Sequence, residues 1–150
     1  MKINWKLTIL AGLLGTLAFD ILGLLITGAW WDIPQLLGAK LGTGTTAGVF
    51  AHYANGALLA VIYAAVAPSL WGSRVTRALT YVTAETVFGV WLFMLPLLGA
   101  GIAGIEAGIA MPFITLARHL GFGLVLAAFI PVERRAAATE GRGYQAVGSA

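Results

Sequence analysis

The chain has 150 residues, of which 59% are hydrophobic and 10% are charged. A soluble domain carries about 25% charged residues, and its surface helices show a polar face at helical period. Stretches of about twenty residues lack such a face here, which excludes a water-soluble domain. Cysteine is absent, so disulfides, thiolate metal sites and cysteine nucleophiles are excluded as well. The net charge of +3 comes without a basic patch rich in aromatic residues and does not indicate nucleic acid.

Four apolar segments are long enough to cross a membrane, which takes about 20 mainly apolar residues. They cover residues 7–31, 47–67, 78–98 and 111–132. We expect the first segment to be a retained helix rather than a cleaved signal peptide, because it is too long for a signal core and contains Asp20. The sequence therefore predicts an all-α, integral membrane four-helix transmembrane bundle that forms a single domain over residues 1–150.

Basic residues predict the orientation of these spans. Most of them precede the first span, separate the second from the third, or follow the fourth: Lys2, Lys6, Arg74, Arg77, Arg134, Arg135 and Arg142. Because cytoplasmic segments carry an excess of Lys and Arg, both termini are predicted to be cytoplasmic. The small and polar residues of 136–150 are typical of a flexible tail.

Two connections are unusual in composition. Residues 33–46 contain Pro34, three glycines and a run of threonines, which predicts an interfacial turn or a short amphipathic piece that lies flat. Residues 99–110 are apolar and glycine-rich, and they suit an external loop, a re-entrant segment or a helix extension. We favour a loop that packs on the bundle, since a fifth span would put the arginine-rich tail outside.

Five ionisable residues fall within the spans: Asp20, His52, Glu85, Arg118 and His119. Each costs at least about 2.5 to 3.5 kcal/mol on insertion scales, so each is a candidate functional residue. At about 1.5 Å of rise per residue, His52 and His119 lie at matched depth, both about 10 Å from the outer ends of parallel spans. Small and hydroxyl residues share the helix faces of these side chains, which indicates that the faces turn inward. Together with Asn55, the five residues form the predicted intramembrane polar layer.

Four interpretations of this layer remain open. Its groups pair to fix helix packing, or His52 and His119, each followed four residues later by glycine, are the axial ligands of haem b. Alternatively, Asp20, Glu85 and the histidines relay protons or ions. In the fourth interpretation, His52 with Asn55 and an acidic residue catalyses lipid or isoprenoid chemistry. Nucleotide loops, zinc motifs and serine elbows, which would specify a reaction, are absent from the sequence.

Four short motifs occur near the ends or in the middle of the spans: Trp31-Asp32-Ile33-Pro34, His52-Tyr53-Ala54-Asn55-Gly56 with Tyr63, Pro96-Leu97-Leu98-Gly99, and Arg118-His119-Leu120-Gly121-Phe122-Gly123. Together they resemble the YagU-like family of small bacterial inner-membrane proteins. The resemblance implies a four-helix bundle, a multi-pass inner-membrane location and a loose association with acid tolerance. His52 and His119 match recurrent family positions, whereas Asp20 and Glu85 have no counterpart, and no catalytic residue is implied.

We therefore expect a non-enzymatic membrane protein, an accessory subunit or self-associating bundle in a larger membrane complex. Its expected partners are membrane lipids and either other membrane subunits or further copies of itself, without nucleic acid or a metal. The alternatives are a redox-associated protein holding haem b between His52 and His119, and a proton or ion relay through Asp20 and Glu85.

Overall fold

The computed structural model describes residues 3–131, and its regular elements are all helices within that range. The longer helices are α1 (Trp5–Thr27), α2 (Asp32–Leu41), α3 (Gly44–Val66), α4 (Arg74–Glu85) and α6 (Met111–Phe129). A π-helical segment, Thr86–Met94, and the single turn α5 (Leu95–Leu97) continue α4, while 3-10 turns occur at Ala67–Ser69 and Ile102–Gly104.

Four of these helical stretches are long and apolar enough to cross a membrane: Trp5–Thr27, Gly44–Ser69, Arg74–Leu97 and Met111–Phe129. The predicted fold class, an all-helical membrane bundle with four spans, is confirmed. The end of the fourth predicted span, at residue 132, and the tail 136–150 lie outside the described residues.

The spanning helices pack side by side in the order α3, α1, α6, α4. Helix α1 packs against both α3 and α6, and α6 also packs against α4. Fully buried alanines, Ala11 on α1, Ala60 on α3 and Ala78 on α4, let the helices approach closely. Tyrosines join α3 to α4, since the Tyr81 hydroxyl donates to the Leu59 carbonyl over 2.9 Å and its ring lies 5.4 Å from that of Tyr63. The core therefore consists largely of alanine, with larger aliphatic and aromatic side chains between the alanines.

The first span ends earlier than the apolar run predicts. Helix α1 stops at Thr27 because Gly28 takes a left-handed conformation, φ 72°, and its N–H bonds to the Leu24 carbonyl. Glycine favours this C-terminal cap because it has no Cβ to clash. The predicted boundary at residue 31 is therefore wrong, and the four residues after the helix turn the chain toward α2.

Helix α2 folds back against the first turns of α3. Pro34 and Gly38 of α2 are buried, and a Cβ at Gly48 of α3 would collide with the Pro34 carbonyl oxygen. The two backbones can approach this closely only because glycine lies at the contact. Of the two predicted alternatives for this connection, a turn or a short piece, the structure shows a short helix over Asp32–Leu41, and it packs on a spanning helix.

The connection before α6 is made of turns. Residues 98–110 contain the 3-10 turn Ile102–Gly104 and otherwise no helix. Ala103 and Gly104 are buried, while Ile102, Ile105 and Ile109 are exposed. A helical extension is thereby excluded, and part of the loop packs on the described bundle as expected.

Candidate functional site

Asp20 is the centre of a buried polar cluster. It is 1% exposed and lies on the inward face of α1, one turn from the buried residues Thr16 and Gly23. One carboxylate oxygen accepts a hydrogen bond from His52 Nε2 over 3.1 Å, and the other accepts one from the Tyr53 hydroxyl, also over 3.1 Å. Both partners are on α3, so a single carboxylate fixes the register of α1 against α3.

Arg118 of α6 completes this cluster and is 3% exposed. Its guanidinium forms a two-pronged ion pair with Asp32 at the start of α2, with distances of 2.6 and 2.8 Å. Its Nε donates to the Phe19 carbonyl over 3.3 Å, and Cζ lies 4.2 Å from the centre of the Phe19 ring. Asp20 Oδ1 lies 3.9 Å from Nη2 of the same guanidinium. We call Asp20, Asp32, His52, Tyr53 and Arg118 the ionic network.

Glycine makes room for the guanidinium. A Cβ at Gly23 of α1 would collide with the Arg118 side chain. Since planar guanidinium groups bind carboxylates through two parallel hydrogen bonds, the geometry favours arginine over lysine at this position. The network therefore connects four helices, α1, α2, α3 and α6, through five side chains.

Asp32 lies outside the four spanning stretches, and its side chain is 30% exposed. Partial burial acts to raise the pKa of its carboxyl, but the hydrogen bonds and the positive charge of Arg118, with a further bond from the Ile33 N–H, act more strongly. The net effect holds the pKa of Asp32 below its ordinary value of 3.8. Asp32 therefore stays a carboxylate that binds Arg118 at neutral pH.

A second polar group joins α4 to α6. His119 Nδ1 lies 2.6 Å from the Thr115 carbonyl, and its Nε2 lies 3.4 Å from Glu85 Oε2. The Thr115 hydroxyl in turn accepts a hydrogen bond from Trp91 Nε1 over 2.8 Å. Trp91 thus points toward α6 in the interior.

Phe19 packs against both histidines. Its ring centre is 5.4 Å from that of His52 and 4.9 Å from that of His119. Within the described residues, no hydrogen bond joins the ionic network to the Glu85–His119 pair. A relay through Asp20 and Glu85 would therefore need a rearrangement around Phe19.

The histidines do not fit haem b in this arrangement. Ligation needs both imidazole nitrogens to face one iron, with open space for the macrocycle beside both rings. Here a phenyl ring takes that space, His52 Nε2 faces Asp20, and the two nitrogens of His119 face Thr115 and Glu85. As they are arranged here, His52 and His119 therefore do not fit the axial positions of haem b.

The structure turns five of the six predicted layer residues inward, in two separate groups, and leaves the sixth exposed. Asp20, His52, Arg118 and His119 are buried and Glu85 is largely buried, whereas Asn55 lies on the exposed face of α3. Helical spacing predicts that Asn55 shares a face with His52. The buried face of α3 instead contains His52 and Gly56, and Asn55 lies beside it on the exposed side. The prediction that Asn55 belongs to the layer is wrong.

Three contributors were not predicted from the sequence: Asp32, Tyr53 and Phe19. Asp32 lies after the first predicted span, and nothing in the sequence shows that α2 brings it to Arg118. The buried Arg118 is a signal that could have found it, since a guanidinium inside a membrane protein needs a carboxylate, and Asp32 follows directly on a span. Tyr53 and Phe19 gave no comparable signal, because aromatic residues beside polar ones are common in membrane helices.

In comparisons with protein-family models, curated proteins and solved structures, nothing matches this chain. The fold and the interior polar groups define a class of protein, a multi-pass membrane protein with four spanning helices.

Proposed function

We propose that this chain is a non-enzymatic membrane protein, an accessory subunit or self-associating bundle whose ionic network holds its own helices in register. The observation that supports this most is the two-pronged pair between Arg118 and Asp32. It uses two guanidinium nitrogens and both carboxylate oxygens within the protein. Both oxygens of Asp20 are engaged in the same way by His52 and Tyr53.

An outward face of the third spanning helix supports association with a partner helix. It carries a groove of about 610 Å³ lined by Val75, Thr76, Leu79, Thr80, Thr83, Ala84, Val87 and Phe88. Thr76, Thr80 and Ala84 recur at intervals of four residues, and small residues at this spacing let membrane helices approach closely. The proposed partner is a transmembrane helix, from a second copy or from another subunit, and lipid covers the remaining apolar surface.

Location and orientation are part of the same proposal. We place the chain in a bacterial inner membrane with both termini in the cytoplasm, as the YagU-like resemblance and the distribution of basic residues predict. Arg74 contacts the carbonyls of Ala128 and Ile130, over 3.3 and 3.2 Å, and so lies on the same side of the bundle as the end of α6. It joins the start of α4 to the end of α6, as expected if a basic loop and the C-terminal side of the fourth span share one membrane face.

Association is tested by Thr80→Leu, which fills the groove at an exposed position. The mass of the protein in mild detergent, measured by light scattering, and the proteins that co-purify with it are compared with those of the wild type. We expect Thr80→Leu to reduce the complex, while Ala54→Leu, on the exposed face of α3, leaves it intact. A wild-type protein that is monomeric and free of partner subunits would contradict the proposal.

A further inference from the structure

Glu85 and His119 face each other across the contact between α4 and α6, apart from the ionic network. Their side chains are 16% and 10% exposed, and the atoms Glu85 Oε2 and His119 Nε2 lie 3.4 Å apart. Oε2 itself is buried and makes no hydrogen bond within the described residues. Glu85 is also the residue at which the regular α-helix gives way to the π-helical segment Thr86–Met94, a feature often found at functional sites.

The hydrogen-bond network determines which nitrogen of His119 carries a hydrogen. A carbonyl oxygen can only accept, so the bond of 2.6 Å between Nδ1 and the Thr115 carbonyl requires the hydrogen on Nδ1. In the neutral ring, Nε2 then has a lone pair and no hydrogen. A carboxylate facing that lone pair would put two acceptors against each other, away from water.

One proton resolves this conflict. A protonated Glu85 donates to His119 Nε2, and the contact becomes attractive with no net charge added to the apolar interior. The opposite assignment, a carboxylate beside an imidazolium, needs further donors to Oε2, and the described residues supply none. It would also put a second positive charge beside the guanidinium of Arg118.

We propose that Glu85 and His119 form a proton-binding site inside the bundle, with the bound proton on Glu85 and hydrogen-bonded to His119 Nε2. Binding takes one proton from water onto the Glu85 carboxylate and forms one O–H bond, while His119 keeps its Nδ1 hydrogen.

Several titratable and charged groups lie on the helices packed around this site. They are Tyr81 on α4, Arg118 on α6, Asp20 on α1, Asp32 on α2, and His52 and Tyr53 on α3. The charged ones bind each other in the ionic network on the other side of Phe19. The proton on Glu85 is therefore not needed to balance that network and can be exchanged separately.

Glycine gives the Glu85 carboxyl its place. A Cβ at Gly89, one turn further along, would lie 3.3 Å from Glu85 Oε1, so the carboxyl group lies over this glycine. Because Oε2 is buried, the 16% exposure of the Glu85 side chain belongs to its other atoms. Proton exchange is expected there, at the seam beside the π-helical segment.

Infrared spectroscopy of the protein in liposomes at neutral pH tests the site. We expect the carbonyl stretching band of a protonated carboxylic acid, and we expect it to shift when the buffer is changed to D₂O. Glu85→Gln should abolish the band. The matched control Glu106→Gln, in the exposed loop before α6, should leave it unchanged.

A second measurement needs no variant and remains decisive if Glu85→Gln does not fold. The chain has two histidines, so ¹⁵N-histidine labelling gives a simple nuclear magnetic resonance spectrum. We expect one ring, His119, to be neutral with its hydrogen on Nδ1. An absent acid band, a band that survives Glu85→Gln, or a His119 ring that is protonated or carries its hydrogen on Nε2 would each overturn the proposal.

Discussion

Removing Arg118 should destabilise the bundle about twice as much when Asp32 is present as when it is replaced. Arg118→Met deletes the paired bonds to Asp32, the bond to the Phe19 carbonyl and the contact with the Phe19 ring. Breaking a buried ion pair by removing one partner costs about 3–5 kcal/mol. We expect about 3 kcal/mol, the lower end of that range, because the Asp32 side chain is 30% exposed and water can partly replace the guanidinium.

Asp32→Asn should cost less, about 1.5 kcal/mol, since Arg118 keeps its contacts with Phe19 and the approach to Asp20. With Arg118→Met already present, Asp32→Asn removes a carboxylate that has lost its partner and should add almost nothing. The double variant is then expected at about 3 kcal/mol rather than the sum of the single effects, a coupling energy of about 1.5 kcal/mol.

Unfolding in mixed micelles with increasing SDS, followed by tryptophan fluorescence, gives these free energies. The matched control is the cycle of Lys40→Met with Glu106→Gln, two exposed residues that share no ion pair within the described part of the chain. Additive effects of Arg118→Met and Asp32→Asn would refute the role of the pair in holding α2 on α6.

Three further predictions concern single contacts. Gly48→Ala should push α2 away from α3 and lower the free energy of unfolding by about 1–3 kcal/mol in the same assay. The control Ala54→Val, on the exposed face of α3, should be neutral. A neutral Gly48→Ala would show that the close contact with Pro34 does not exist. Trp91→Phe removes the hydrogen bond to Thr115 and should lower the free energy of unfolding by about 1 kcal/mol. The control Trp71→Phe, at a 74% exposed position, should leave it unchanged. Equal effects would contradict the inward orientation of Trp91. Because folding lowers the pKa of Asp32, the contribution of this carboxylate to stability is present above pH 3.8, the ordinary pKa value, and is lost as the pH falls below that value. Asp32→Asn should therefore flatten the acid side of the plot of stability against pH. An unchanged plot would count against the pair.

The four spans could be predicted from the sequence because hydrocarbon imposes one requirement on every residue of a crossing helix. Apolar runs of about twenty residues therefore identify the spans without any knowledge of how they pack. The ends of the spans are harder to predict from apolar character. The residues 24–31 are as apolar as the helix before them, and only the left-handed Gly28 stops α1 at Thr27. Glycine is too frequent in this chain, at 20 residues, for that position to stand out.

The interior layer was predicted in outline because ionisable groups in a membrane must turn away from lipid. Asp20, His52 and Arg118 follow this rule. Which groups pair within the layer also depends on α2, a segment outside the spans. Because α2 packs back on the bundle, Asp32 reaches Arg118. Asn55 could not be placed in the same way. An uncharged amide costs less than a charge on the outer face of a helix, and residues next to each other along α3, Asn55 and Gly56, lie on its exposed and buried faces.

The central claim is that four helices cross the membrane and bring these charged groups inside, and cysteine labelling tests it most directly. The natural chain has no cysteine, so Asn4→Cys, Thr43→Cys, Ser73→Cys and Ala107→Cys each introduce one thiol at a described loop or helix end. With a membrane-impermeant maleimide on intact cells, we expect labelling of the variants at positions 43 and 107, and labelling at positions 4 and 73 only after the membrane is opened. Labelling of positions 43 and 107 from opposite sides, or of all four from one side, would contradict the account.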